Sequence, residues 1–274
     1  MHLDKNQLAK KFGETYSFAD FMDLIRVLRG PEGCPWDRAQ THASIRGNFI
    51  EETYEVLEAI DLGDLALLRE ELGDVLLQIG LHIEMEAEQG RMTADEVITE
   101  LCRKLITRHP HVFGGALADS TEQALENWED VKRETKGHST HTQSLRSVPA
   151  AFPALMRAQK IQKRARKAGF DWPDAGGALD KLEEELAELR AAVKAGDAAQ
   201  IGEELGDLLF SAVNAARLLE RDAEEALTEA CLKFVDRFEA MELEAERRGT
   251  PLSGLTLEEM DRLWDEAKRA TRQR

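Results

Sequence analysis

An all-α protein built as two tandem helical bundles related by internal duplication is the fold class this sequence predicts, on three observations. Ala, Leu, Glu, Arg and Lys dominate, while strand formers are sparse, with only two Tyr and no long Val or Ile runs. Capping boxes and glycine stops recur along the chain and cut it into helices of ordinary length. The pentapeptide EELGD stands at residues 70–74 and again at 203–207, so the same acidic segment is used twice.

The elements follow in order. Ser17 opens a helix that stops at Gly30-Pro31, and a second runs from about His42 to Leu62. After a turn at Gly63 a third runs from Asp64 to Gln89 and ends at Gly90. Thr93-Ala-Asp-Glu96 and Ser120-Thr-Glu-Gln123 are capping boxes that start two more. Residues 137–149, GHSTHTQSLRSVP, lack helical periodicity and are read as a linker between domains at 1–136 and 150–274. The second half then repeats the order: a basic helix to about Ala168, a helix to Ala195, a turn at Gly196, and a helix to Arg221. Asp222-Ala-Glu-Glu225 and Thr256-Leu-Glu-Glu259 open the last two.

Composition narrows the function. A chain of 274 residues can bury one large or two ordinary cores. A formal charge of −17 repels the phosphates of nucleic acids and anionic membranes, so neither is an expected partner, and a phosphate ligand needs a cation as mediator. Cys34, Cys102 and Cys231 have no CxxC spacing, which indicates neither a disulfide framework nor a zinc knuckle; a reducing cytoplasm is the expected compartment. The opening residues show no apolar signal core, and no run reaches the 18 or so apolar residues a membrane helix needs.

The duplication extends beyond the pentapeptide. Glu52, Glu55, Glu71 and Asp74 are spaced by 3, 16 and 3 residues, and Glu185, Glu188, Glu204 and Asp207 repeat that spacing. Lys104 and Arg108, then Trp128 and Lys132, correspond to Lys233 and Arg237, then Trp264 and Lys268, with an offset of 4 inside each pair. Each acidic set is symmetric about a glycine. Gly63 lies eight residues from Glu55 and from Glu71, and eleven from Glu52 and from Asp74; Gly196 is the matching midpoint. An antiparallel hairpin therefore brings the four acids level, roughly 12 Å below the turn at 1.5 Å per residue.

Acidic runs on a highly charged chain are ordinarily solvated, but these acids border apolar stripes. Glu52 adjoins Ile45, Phe49, Val56 and Ile60, and Glu71 adjoins Leu68, Leu72, Val75 and Ile79, whereas Glu58 and Glu84 read as isolated acids on outer faces. Four carboxylates in a partly dry groove call for a cation, and an all-oxygen donor set suits Mg²⁺ or Mn²⁺, with phosphate oxygens and waters as further ligands. A di-iron bundle would need ExxH pairs, and Glu55 and Asp74 stand in their place. Gly73 and Gly206, inside helices, are expected to allow a helix or ligand to approach closely.

With GCPWD (33–37), EETYEVLEAI (51–60), EELGDVLLQ (70–78), RHPHVF (108–113), LMRAQKIQKRARKAGFDW (155–172) and EELGDLLF (203–210), the chain resembles the MazG family of nucleoside triphosphate pyrophosphohydrolases across nearly its whole length. The resemblance implies Mg²⁺-dependent hydrolysis of nucleoside triphosphates to the monophosphate and pyrophosphate, in a helical fold that usually dimerises. By matching position, the metal ligands are Glu52, Glu55, Glu71 and Asp74, and Glu185, Glu188, Glu204 and Asp207.

Around them, Lys104 with Arg108 and Lys233 with Arg237 share helix faces, where they either hold the outgoing pyrophosphate or make ordinary surface ion pairs. Trp128 and Trp264 are either core aromatics or platforms for a base, and Trp36 and Trp172, in loops, are further candidates for the base. Glu51 and Glu184 act as general base or face water. His109 and His111 read as helix-terminal or packing residues. Residues 157–167 carry Arg157, Lys160, Lys163, Arg164, Arg166 and Lys167, against mainly Arg26 and Arg29 before Trp36, so more of the activity is expected from the second half. The alternatives are a catalytically weak, nucleotide-binding regulatory protein, and a narrower enzyme of the same superfamily acting on a substrate such as dUTP.

Overall fold

The structure, a computed structural model, describes residues 3–115, 119–121, 123, 124, 128, 131 and 140–271, and every regular element among them is a helix. The chain divides into two compact units, Met1–Thr135 and Lys136–Arg274. The first holds α1 (Lys5–Lys10), α2 (Phe18–Arg29), α3 (Pro35–Ala39), α4 (Arg46–Leu62), α5 (Leu65–Ala87), α6 (Ala94–Arg108) and α7 (Pro110–Phe113). The second holds α8 (His141–Arg146), α9 (Ala154–Lys167), α10 (Ala175–Ala195), α11 (Ala198–Leu218), α12 (Ala223–Arg247), a 3₁₀ turn at Leu252–Gly254 and α13 (Leu257–Thr271).

Starts and stops follow the side chains that satisfy the free helix ends. Ser17 and Asp20 form a capping box on α2, Thr93 and Glu96 one on α6, and Thr256 and Glu259 exchange the same bonds before α13. Each hairpin turns on a Gly-Asp pair. Gly63 (φ 65°) and Gly196 (φ 73°) take the left-handed conformation that a Cβ would strain, and the following Asp64 and Asp197 cap the next helix through their side chains. The Asp64 and Asp197 backbone amides reach back to the carbonyls of Ala59 and Ala192, closing both turns by the same bond.

Inside the first unit, Ile25 of α2, Ile45, and Leu81 and Met85 of α5 form the buried centre, with Phe21 and Leu77 packed against it. In the second, Met241, Ala245 and Leu263 form a cluster that Met260 and Trp264 complete. Full burial of one aliphatic side chain contributes about 1.5–3 kcal/mol.

Several expectations are corrected. His42 lies outside α4, which starts at Arg46, because Thr41 and Ser44 exchange side-chain to backbone hydrogen bonds (2.9 and 3.2 Å) that compete with the helix. The 137–149 segment holds α8, capped by Thr140, and the helix is tied down by Arg164, whose guanidinium donates to the Ser144 carbonyl and, at 2.7 Å, to Ser147 Oγ. Glu84 is buried, 4% exposed, beside the Arg26 guanidinium at 3.5 Å, because α2 covers the face read as outer. Ile60 and Leu72 remain more than half exposed, so the apolar stripes of the first hairpin are covered only in part within the chain. A Cβ on Gly73 or Gly206 would meet nothing within 4 Å, so no helix among the described residues crosses there.

Candidate metal centres

Below each Gly-Asp turn the helices are separated by small residues. Ala59 and Ala192, each 1% exposed, stand one turn nearer the glycine than Glu55 and Glu188 and let the paired helices approach. The acids below them converge. Carboxylate oxygens of Glu52, Glu55 and Glu71 lie within 4.8 Å of one another, and those of Glu185, Glu188 and Glu204 do the same. Glu71 is 9% and Glu185 4% exposed.

The crowding shows in their acidities. Desolvation, reinforced by Asp74 and Glu55, pushes Glu52 above the usual carboxylate range; desolvation and Glu55 do the same to Glu71. Glu204 is raised by desolvation, then by Glu188 and Glu185. Asp74 and Asp207 stand outside the two triplets but close enough to act on these neighbours. Three carboxylates gathered in this way offer hard oxygens in a donor set that fits Mg²⁺ or Mn²⁺.

The two centres differ in one cation that the sequence reading missed. Lys181 sits at 2.7 Å from Glu185 and 2.9 Å from Glu184, and these two hydrogen bonds hold its ammonium well above the usual range. Asn48 occupies the matching place, four residues before Glu52. The signal was present as the i,i+3 and i,i+4 spacing of Lys181 to the two acids. Glu51 and Glu184 are both exposed.

Residues outside the hairpins are placed as follows. Lys104 and Lys233 are exposed, and Arg108 and Arg237 half-buried; among the described residues no ion pair joins Lys104, Arg108 or Lys233 to the hairpin carboxylates. The Arg108 guanidinium stacks over the Trp128 ring at 5.3 Å. Trp264 packs against Phe234, 5.0 Å between centroids, at the edge of the second core, beside half-buried Lys268. Lys163 is exposed on α9, and Trp36 is 58% and Trp172 38% exposed. Lys132 lies outside the described residues. His109 Nδ1 donates to the Leu105 carbonyl at 2.6 Å and so closes the end of α6.

Comparison with known proteins agrees with this doubled arrangement. The MazG nucleotide pyrophosphohydrolase domain matches twice, at residues 40–113 and 177–241, and each match spans one carboxylate triplet. The nucleoside triphosphate pyrophosphohydrolase/pyrophosphatase MazG of Thermotoga maritima is 45% identical over 251 residues, covering 92% of this chain and 95% of that protein. The nucleoside triphosphate pyrophosphohydrolase of Escherichia coli K12 is 43% identical over 253 residues, covering 90% and 95%. One of Mycobacterium tuberculosis is 34% identical over 259 residues, covering 90% and 67%. With the domain present in both units and relatives aligned almost end to end, the chain belongs to the MazG nucleotide pyrophosphohydrolase family.

Proposed function

We propose that the chain hydrolyses nucleoside triphosphates, ribo and deoxy, to the monophosphate and pyrophosphate with Mg²⁺, Mn²⁺ serving as a substitute, and with broad tolerance of the base. The observation that carries the reading is the convergence of Glu185, Glu188 and Glu204, and of Glu52, Glu55 and Glu71, each within 4.8 Å. Water adds to the α-phosphorus, the bond from that phosphorus to the α–β bridging oxygen breaks, and pyrophosphate leaves with the electron pair.

Glu52, Glu55, Glu71 and Asp74 would hold the ion in one unit, and Glu185, Glu188, Glu204 and Asp207 in the other. Bound there, Mg²⁺ supplies Lewis-acid stabilisation of the charge that gathers on the phosphate oxygens. Glu184, oriented by Lys181 and adjacent to Glu185, is the proposed general base of the second unit, and Glu51 of the first. Lys233 and Arg237, and Lys104 and Arg108, are the proposed holders of the departing pyrophosphate. Lys181 and the basic face of α9, with Lys163, favour the second unit as the more active one.

A homodimer is the proposed assembly. Ile98, Leu101, Leu105 and Ile106 leave the apolar side of α6 at least 40% exposed, and Leu227, Leu232, Phe234 and Val235 do the same on α12, surface that a second copy would cover. Unpaired Cys34, Cys102 and Cys231 suit a reducing cytoplasm and a role in keeping the nucleotide pool clean, and no helix among the described residues is long and apolar enough to cross a membrane.

Phosphorus-31 NMR of ATP, dTTP and dUTP incubated with the protein, in Mg²⁺ and in EDTA, tests the reading. Monophosphate and pyrophosphate at similar rates for the three, abolished by EDTA, is the expected result. Strong preference for dUTP would point to the narrower enzyme. Absence of products, or orthophosphate with nucleoside diphosphate, would overturn hydrolysis at the α-phosphorus, and absence of products would leave a nucleotide-binding regulator.

A further inference from the structure

The loop that leads into α10 is held by a buried ion pair that the chemistry above does not use. Arg217, on α11, pairs with Asp171 across 46 residues of sequence, their side chains 4% and 14% exposed. Nη1 donates to Oδ2 at 3.0 Å and Nη2 to Oδ1, so the contact is bidentate. The guanidinium has a second anchor, since Nε and Nη2 donate to Asn214 Oδ1 at 2.9 and 2.6 Å. Asp171 in turn accepts from the Trp172 backbone amide at 3.0 Å. Arg217 thus fixes the backbone at Trp172.

The indole has one place to go. Asp174 caps α10, and the Trp172 ring folds onto the first turn over Gly177. A Cβ at Gly177 would stand 2.2 Å from the Trp172 Cδ1, so only glycine admits the ring there, with 38% of the residue still exposed. Gly177, Lys181, Glu184 and Glu188 are spaced by 4, 3 and 4 residues and share one face of α10. The indole heads that face, about 12 Å along the helix from Glu185 at 1.5 Å per residue.

Resting on the proposed hydrolysis, we infer that Arg217 is a positioning residue: clamped to Asp171, it holds the Trp172 indole as the platform on which the nucleobase stacks while the phosphates reach the carboxylates of α10 and α11. Stacking uses the π-face that every base has, so the device binds a purine or pyrimidine without reading its edge. The first unit has no arginine at the matching place. The residue thirteen after Glu71 is Glu84, whereas the residue thirteen after Glu204 is Arg217.

The test is a double-mutant cycle in the full-length chain, with steady-state pyrophosphate release and calorimetric nucleotide binding as readouts. Arg217→Lys keeps the charge and loses the fork; Asp171→Asn keeps the shape and loses the charge, and either one suffices if the other fails to fold. Expected is a rise in KM of about tenfold for each, larger than any fall in kcat, matched by Trp172→Ala and not increased when Trp172→Ala is combined with Arg217→Lys. An unchanged KM in Arg217→Lys and Asp171→Asn, or the same further rise on the Trp172→Ala background, overturns the clamp while leaving the hydrolase reading intact. A wild type that neither binds nor hydrolyses nucleotide overturns both.

Discussion

Lys181 donates to Glu185 at 2.7 Å, so the most buried carboxylate of the second centre already holds a counter-ion, whereas Glu52, its counterpart, has Asn48 one turn away. A cation on a carboxylate of the proposed metal site would compete with the metal until phosphate oxygens arrive to take it over. Lys181→Ala should therefore tighten Mg²⁺ binding in the absence of nucleotide by about two- to fivefold, the scale of a solvent-accessible ion pair, while raising KM for the triphosphate. Calorimetric Mg²⁺ titration with and without a non-hydrolysable nucleotide checks both signs.

The same asymmetry predicts unequal centres. Glu204→Gln should lower turnover by about a hundredfold or more, because loss of one anionic ligand of the proposed site would weaken the hold on an ion that offsets phosphate charge. Glu71→Gln should lower it by no more than about threefold if the second unit carries most of the rate. Pyrophosphate release by the two single variants decides the matter, and equal losses would contradict the assignment.

Arg29 is a structural counterpart to these functional charges. Buried on α2, it donates to Glu88 Oε1 and Oε2 at 2.7 and 3.0 Å and to the Asp37 and Gln40 carbonyls at 2.6 and 3.3 Å, tying α3 to the end of α5. Arg29→Met keeps the stem and removes the donors, leaving carbonyls unsatisfied. A loss of about 2–4 kcal/mol in urea unfolding is expected.

His82, stacked on His42, sets a pH dependence in the first unit. Their rings stack at 4.9 Å with the two Nδ1 atoms 2.6 Å apart, and burial, then His42, depresses the His82 pKa below 6.5. A histidine depressed on folding binds fewer protons than in the unfolded chain, so its effect on stability is neutral above pH 6.5 and unfavourable as pH falls through that value. Facing groups are Glu86 and Arg91, and Glu86 is held at about 2 by Arg91 and then His42, so it stays ionised across this range. The melting temperature should fall between about pH 7 and 5, and His82→Gln should flatten that part of the profile.

How much of this was legible follows from the range of each signal. The hairpins could be read because their determinants are local: Gly63 and Asp64, or Gly196 and Asp197, close the turn and set the flanking helices side by side. Glu84 was misread because its exposure depends on Arg26, 58 residues earlier, and no periodicity encodes that meeting. His42 was misread because Thr41 and Ser44 bond locally in a way that helix patterning does not reveal. The Arg217 and Asp171 clamp escaped for the reason that applies to Glu84, since its partners are 46 residues apart.

Gly73 and Gly206 separate fold from function. Both lie inside helices of the acidic hairpins, one residue before Asp74 and Asp207, and among the described residues nothing beyond the helix's own backbone and the adjoining residues comes within 4 Å of where a Cβ would stand. Nothing in the packing of the described residues requires glycine, and helix propensity disfavours it by about 1 kcal/mol relative to alanine. Gly206→Ala should therefore raise the melting temperature of the second unit, as a strain-free substitution that also restricts the unfolded chain. If the open space is occupied by the nucleotide, the same variant should raise KM while metal binding to the free protein is unchanged. A variant that is more stable and equally active would assign the space instead to a second copy of the chain, and sedimentation of Gly206→Ala against wild type would then show a shift toward monomer.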